Sequence, residues 1–226
     1  MCYIIKYMKK LFFILTFISF LIPFPLQATC SDIVVNPQIE FKTSYGKLSY
    51  NFNKNNQQIT DIAEQLGIIE KGIFAAGLST INIKTDIVIN SVGDRIDDYS
   101  LCVYPQKISI SIYFSNPTIY ISNQLIPNSC QYNVVLRHEQ THQQINKNGL
   151  DYFLPLFYTG IKKISSSIKP RKVNFISDID KASKNITDEF NEKLSPLVDF
   201  FKQQLLSEQI KLDNTDNYKH ENGICQ

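Results

Sequence analysis

The feature of the sequence that most constrains the fold is an H-E-x-x-H pentad, His138-Glu139-Gln140-Thr141-His142. On an α-helix its two histidines lie one turn apart on the same face, so both imidazoles can bind one metal ion at about 2 Å. The glutamate then reaches the water that such a metal activates. The pentad therefore predicts a helix with an inward face, with His138 and His142 as candidate zinc ligands and Glu139 as candidate general base.

The second half of the chain predicts helices. A stripe that includes both histidines predicts a helix over residues 131–147, because Asn148-Gly149 is a typical helix end. An apolar segment over residues 150–168 follows, and then a long helix that Pro196 is expected to kink. The apolar stripe of that last helix has steps of three or four residues, and it consists of Ile186, Phe190, Leu194, Leu197, Phe201 and Leu205.

The first half of the chain alternates apolar and polar residues, as β-strands with one buried face do. Strands are predicted over residues 81–89 and 108–114, with a polar loop at 91–100. A short strand at 118–122 precedes the pentad helix, where zinc proteases with such a helix place an edge strand that an extended substrate can join. An ordinary sheet edge is the alternative for this strand.

Strands first and helices last predict an α+β fold. We expect a small, mostly antiparallel sheet, followed by a zincin-type HExxH helix and C-terminal helices.

A catalytic zinc normally has three protein ligands and one open position, and the pentad supplies only two ligands. In metzincins the motif continues with a glycine and a third histidine, but Ile145 and Asn148 occupy those positions here. Metzincins also need a methionine turn beneath the metal. The only methionines are Met1 and Met8, so this class is excluded.

A carboxylate from a later helix is the usual remaining third ligand, and Glu208 is the candidate. It continues the apolar stripe three residues after Leu205, at a core-facing position where an unpaired carboxylate would be costly. A buried salt bridge, or a frayed helix end that exposes Glu208, would also explain this position. Asp213 and His220, in the C-terminal tail, are the other candidate ligands.

The N-terminus has the layout of a secretory signal peptide. Three lysines precede an uncharged apolar run over residues 11–24, and a polar break at 27–29 follows. We expect cleavage after Ala28, and lipid attachment at Cys30 is the alternative. The run of about 14 residues is shorter than the roughly 20 that span a bilayer. The prediction is a secreted or periplasmic protein with no stable membrane insertion once residues 1–28 are removed.

The cysteines agree with export. Cys2 leaves with the signal peptide, and the four that remain are an even number in an oxidising compartment, which predicts two disulfides. Three pairings are possible, and we favour Cys102 with Cys130 and Cys30 with Cys225. Zinc binding by cysteines is the alternative, but the chain has no C-x-x-C motif.

Length and charge limit the remaining possibilities. Residues 29–226 are enough for one domain with a hydrophobic core, and too few for two domains that each have a core of ordinary size. The net charge is +2, and lysines and acidic residues are dispersed along the chain. No basic face is predicted, so nucleic acid is not an expected partner.

A short helix predicted over residues 58–66, the alternating strands, the form H-E-Q-x-H-x-x-I and a C-terminal Asp213-x-Thr215 segment together resemble a bacterial family of predicted secreted zinc-dependent proteases of unknown function. The three pentad side chains match that family in type and spacing, and Asp213 and Thr215 match its tail. The His-Gly that follows in the family is displaced here. The resemblance could cover most of residues 45–223. It implies a metallopeptidase-like fold without an established substrate.

The expected function is therefore that of an exported zinc metallopeptidase acting on peptides or proteins. Glu139 would take a proton from the water that attacks the peptide carbonyl. The alternative is a non-catalytic envelope or binding protein that keeps a zincin-like fold, and a missing third ligand would favour it. The zinc content of the purified protein discriminates between these interpretations.

Overall fold

The structure, a computed structural model, describes residues 29–69 and 72–225. The predicted signal peptide lies outside these residues, and the single domain over 29–226 stays a prediction. Within the described ranges no helix combines the length and apolar character needed to cross a membrane. The elements, in chain order, are β1 (Gln38–Ser44), β2 (Ser49–Asn51), α1 (Asn56–Gln65), β3 (Gly77–Arg95), β4 (Leu101–Ile121), α2 (Cys130–Ser167), β5 (Arg171–Val173), α3 (Ile179–Leu212) and α4 (Thr215–Gly223).

The long strand β4 is the centre of a five-stranded sheet. β3 pairs with it antiparallel along nearly its whole length, from Gly77 opposite Ile121 to Arg95 opposite Leu101. β1 and β2 pair with β4 in parallel, and β5 pairs with it antiparallel. Since β3 occupies one edge of β4, the three short strands share the other edge.

The prediction of a small, mostly antiparallel sheet is wrong, because both β1 and β2 run parallel to β4. Gln38 lies opposite Lys107 at the start of one parallel pairing, and Ser49 lies opposite Thr118 at the start of the other. Alternation of apolar and polar residues shows that a strand has one buried face. It carries no information about the direction of the partner strand.

The predicted edge strand at residues 118–122 is also corrected. Residues 118–121 are the end of β4 and pair with β3 on one side and, through 118–120, with β2 on the other. Asn116-Pro117, between the predicted strands at 108–114 and 118–122, is an irregularity inside β4, where Asn116 has a φ of 53°. The pairing register shifts at the same place, between Thr80 and Asn82. The strand that flanks the pentad helix is the start of β3.

The pentad helix is much longer than predicted. α2 has 38 residues and continues past Gly149 and Pro155. Its first turn is capped by Ser129, whose side chain accepts a hydrogen bond from the Tyr132 backbone N–H at 3.2 Å. Gly149 does not end the helix. A Cβ there would lie 2.2 Å from Leu205 Cδ2 of α3, so this glycine permits close contact between two helices.

The main core lies between the sheet and the α2–α3 pair. The helices run antiparallel, because Gly149 lies beside Leu205 and Gly160 beside Leu197. α3 remains one continuous helix through Pro196. This core packs around the middle of both helices. The start of α2, which carries the pentad, and the end of α3 extend beyond it. Its larger buried members are Ile108, Ile110, Ile112, Phe114, Phe157, Ile161, Phe190 and Phe201.

The structure confirms two disulfides but not the favoured pairing, since Cys30 bonds to Cys102 and Cys130 bonds to Cys225. The parallel β1–β4 pairing explains the first bond, because it brings the segment before β1 alongside the start of β4. The second bond joins the first residue of α2 to the segment just after α4. Both bonds depend on contacts between distant segments, which cysteine spacing does not encode.

Candidate metal centre

Two imidazoles and one carboxylate converge at the start of α2. The side chains of His138 and His142 are 6% and 11% exposed, and their Nε2 atoms lie 3.0 Å apart. Asp213, immediately after α3, places its Oδ1 3.0 Å from each of these nitrogens. The three atoms therefore form an equilateral triangle, and the group could hold a metal ion.

The triangle has the dimensions of a metal site. All three atoms could bind one ion at about 2 Å, because they lie 3.0 Å from one another. Two histidines with one carboxylate, and an open fourth position, are a known ligand set of catalytic zinc. The residues present therefore fit the metal that the pentad predicts.

The other nitrogen of each imidazole is bonded to an oxygen, which fixes the proton there. His138 Nδ1 lies 2.9 Å from Glu221 Oε2, and a carboxylate can only accept. His142 Nδ1 bonds to Gln209 Oε1, while Gln209 Nε2 donates to Asn146 Oδ1 at 2.8 Å and to the His142 carbonyl oxygen at 3.2 Å. Such partners set the tautomer and ring orientation of metal-binding histidines.

These tautomers turn the lone pairs of both Nε2 atoms towards Asp213 Oδ1. Three electron-rich atoms 3.0 Å apart repel one another unless a proton or a cation lies between them. Burial, the largest single influence, acts to lower the pKa of both histidines, but hydrogen bonding of the protonated imidazoles to Asp213 and the charge of Glu139, acting with the other polar neighbours, raise the pKa of each. Burial likewise acts to raise the pKa of Asp213, but hydrogen bonds from the protonated imidazoles and from Tyr218 together hold it well below its ordinary range. The site thus attracts positive charge.

Glu139 lies inside the same site, and the residue is 6% exposed. Burial raises the pKa of its carboxyl to about 7, although the neighbouring histidines act to lower it. Among the described residues, none forms a hydrogen bond with this carboxylate. A Cβ on Gly77 would lie 2.6 Å from Glu139 Oε1, so the start of β3 packs directly against it. A buried carboxylate without a partner is costly and is typical of functional sites.

The residues of α4 cover one side of the site. Tyr218 donates a hydrogen bond from its hydroxyl to Asp213 Oδ1 at 2.8 Å, and its ring stacks on His138 at a centroid distance of 5.2 Å. Burial, and then this hydrogen bond, raise the pKa of Tyr218. The Asp213 side chain is 33% exposed and Tyr218 is 43% exposed, so solvent reaches these two side chains.

The structure does not support Glu208 as the third ligand. Its side chain is 52% exposed and forms an ion pair with Lys211 at 2.5 Å. The buried stripe of α3 continues from Leu205 to Gln209 by a step of four, not to Glu208 by a step of three. Of the other two candidate ligands, Asp213 joins the histidines, whereas His220 is exposed and is not part of the group.

Sequence reasoning missed the residues that orient the histidines. Gln209 continues the apolar stripe of α3. A polar residue at such a position can mean that the buried part of the helix has ended, and it does not by itself indicate a metal site. Glu221 lies in a polar segment without a periodic pattern. The Asp213-x-Thr215 segment was the one sequence feature that indicated the correct third side chain.

Comparison of the chain with protein-family models, with curated proteins and with solved structures finds no match.

Proposed function

We propose that this protein is an exported zinc-dependent peptidase. One observation carries the proposal: an H-E-x-x-H helix and an aspartate bring three metal-binding atoms within 3.0 Å of one another, beside a buried glutamate whose carboxylate forms no hydrogen bond with any described residue. A site that only stored a metal would not need that buried carboxylate, whose burial costs free energy. A hydrolytic site does need it, as a base for water.

His138, His142 and Asp213 would hold the zinc, and Glu221 and Gln209 would orient the two imidazoles. Zinc in such a site lowers the pKa of water and polarises the carbonyl of the substrate. Imidazole ligands favour zinc over magnesium or calcium, which prefer oxygen atoms.

Glu139 would transfer the proton. Its carboxylate accepts a proton from the attacking water as the new C–O bond forms, and the carboxyl then gives a proton to the amide nitrogen as the C–N bond breaks. Glu139 is therefore again an unprotonated carboxylate at the end of each cycle. The close approach of Gly77 holds this carboxylate beside the histidines.

The two disulfides are compatible with a protein that works outside the cytoplasm. The N-terminal signal-peptide pattern supports export independently. The alternative function is that of a non-catalytic envelope or binding protein that keeps the metal site, and hydrolysis distinguishes the two.

The test compares wild-type protein with Glu139→Gln on casein and on a peptide library. Both proteins should carry zinc, and the variant should be slower by about 10²- to 10⁴-fold, because it lacks the base but keeps both imidazoles. Glu208→Gln is the matched control, since that exposed glutamate is outside the site, and it should cleave like wild type.

Two results would count against the proposal. If Glu139→Gln cleaves as fast as wild type, Glu139 is not the base. If wild-type protein holds zinc but cleaves none of these substrates, the non-catalytic alternative is favoured.

A further inference from the structure

The helix α4 covers the metal centre but has little else to hold it in place. None of its described side chains is buried, and none belongs to the hydrophobic clusters. Its first turn is capped by Asn214, which accepts from the Asn217 backbone N–H at 2.8 Å. An isolated helix of nine residues is too short to be stable in water. The position of α4 must therefore depend on contacts with the rest of the protein.

Asn217 Nδ2 donates to the Leu212 carbonyl oxygen at 3.0 Å, and the other contacts are with the metal centre itself. Glu221 bonds to His138 Nδ1 at 2.9 Å, and its side chain is 14% exposed. Tyr218 contacts His138 and Asp213. α4 therefore supplies the charged partner of one imidazole and a hydrogen bond to the third ligand.

A covalent bond closes the far end of this segment. Cys225 lies four residues after Glu221 and is bonded to Cys130, the first residue of α2. His138 lies eight residues further along α2, about 12 Å away along the helix axis. The segment 214–225 is thus anchored at one end by α3 and at the other by the helix that carries the pentad, and it passes over His138 between these anchors.

We propose that the Cys130–Cys225 disulfide is a redox latch for the metal centre, a proposal that rests on the proposed metal-binding function. With the bond closed, α4 is held on the site and Glu221 orients His138. With the bond open, ordering α4 costs backbone entropy that a few polar contacts do not offset. The reduced chain then keeps His138, His142 and Asp213 but loses the partner of His138.

The latch closes by thiol–disulfide exchange with a disulfide-bearing oxidoreductase of the export compartment. The thiols of Cys130 and Cys225 lose two protons and two electrons and form one S–S bond, while the disulfide of the oxidoreductase is reduced to two thiols. The high-affinity metal site would thus be completed only after export. Inside the cell, the reduced chain would bind zinc weakly.

The test measures zinc affinity, by competition with a chromophoric chelator, in two matched variants that each lack one disulfide. The latch variant is Cys130→Ser/Cys225→Ser, and the control is Cys30→Ser/Cys102→Ser, whose bond ties the N-terminal segment to β4. Loss of the partner of a metal-binding histidine typically weakens metal affinity about 10- to 100-fold. We expect that loss in the latch variant, and an affinity within about threefold of wild type in the control.

A second variant shows whether the latch acts through Glu221. Glu221→Ala in the otherwise intact protein should weaken zinc binding to a similar extent. Added to the latch variant, it should cause little further loss, because both changes remove the same interaction. The visible absorption spectrum of bound cobalt(II) should change in the same way in Glu221→Ala and in the latch variant. A general loss of stability would not give the two proteins the same changed spectrum.

Should the latch variant fail to fold, the control protein provides the test, because Cys130–Cys225 is its remaining disulfide. The control protein is reduced and then alkylated with iodoacetamide, so that its free thiols cannot bind metal. Its zinc affinity is then compared with that of the same protein in the oxidised form.

Equal affinity with the latch open and closed would overturn the latch, and so would an equal loss in the two disulfide variants. Oxidised wild-type protein that binds no zinc would instead refute the metal centre itself, and the latch with it.

Discussion

Replacing Glu139 with glutamine should change how the stability of the metal-free protein depends on pH. In the folded protein, burial raises the pKa of the Glu139 carboxyl from its ordinary 4.5 to about 7, and the residue is 6% exposed. Between these two pH values the folded protein holds a proton that the unfolded chain has released. The free energy of unfolding therefore falls as the pH rises through this range.

The size of this effect follows from the two pKa values. Their difference of about 2.5 corresponds to about 3 kcal/mol of stability, which is present at about pH 4 and lost by about pH 8. Glutamine has nearly the same shape and does not titrate. The free energy of unfolding of Glu139→Gln, minus that of wild type, should therefore increase by about 3 kcal/mol across this range.

Urea unfolding followed by circular dichroism, in the presence of a chelator and at a series of pH values, measures this difference. The charge of Glu139 helps to raise the pKa of both histidines, so the difference between the two proteins includes this coupling. Glu208→Gln is the control, because that exposed side chain lies outside the site. A difference between Glu139→Gln and wild type that stays constant from about pH 4 to about pH 8 would refute the burial of an uncharged Glu139.

Three further variants test other parts of the structure. Gln209→Ala should weaken zinc binding about 10- to 100-fold, because it removes the partner of the second pentad histidine, whereas Glu208→Ala, one residue away on α3, should bind like wild type in the same chelator competition. Gly77→Ala should keep zinc but hydrolyse peptides more slowly, because the added Cβ would displace the Glu139 carboxylate. Gly223→Ala is the control and should hydrolyse peptides like wild type, because the added Cβ would meet open space. Gly149→Ala should lower the free energy of unfolding by about 1–3 kcal/mol through overpacking against α3, and an unchanged urea midpoint would contradict the close contact of the helices.

The parts of the fold that the sequence predicted are those governed by local periodicity. Helical spacing alone places His138 and His142 on one face, and the structure has both on the inward face of α2. Alternation predicted one inward face for each of β3 and β4, and that face is buried in β4, at Ile108, Ile110 and Ile112, and partly buried in β3. Each of these features needs only the geometry of one element.

The parts that the sequence did not predict depend on how distant segments meet. The parallel direction of β1 and β2 and the partners of the cysteines are properties of pairs of segments, and neither leaves a periodic trace in the chain. Gly149 was interpreted as a helix end because glycine is common there. The structure uses it for contact with Leu205, a requirement that arises only when α3 packs against α2.

The wrong prediction of Glu208 as third ligand depends on a difference of one residue in the helical stripe. After Leu205 the stripe of α3 can continue by three residues to Glu208 or by four to Gln209, and both steps are compatible with a helical period of 3.6. The packing of α3 on α2 selects Gln209, which turns Glu208 into solvent and leaves the carboxylate role to Asp213. Periodicity alone could not distinguish these residues.

The most direct test of the metal centre is the anomalous diffraction signal of the oxidised protein, crystallised with zinc and measured on both sides of the zinc absorption edge. We expect one strong peak about 2 Å from His138 Nε2, His142 Nε2 and Asp213 Oδ1. A peak bound by Glu208 instead of Asp213, or no peak at the two histidines, would contradict it.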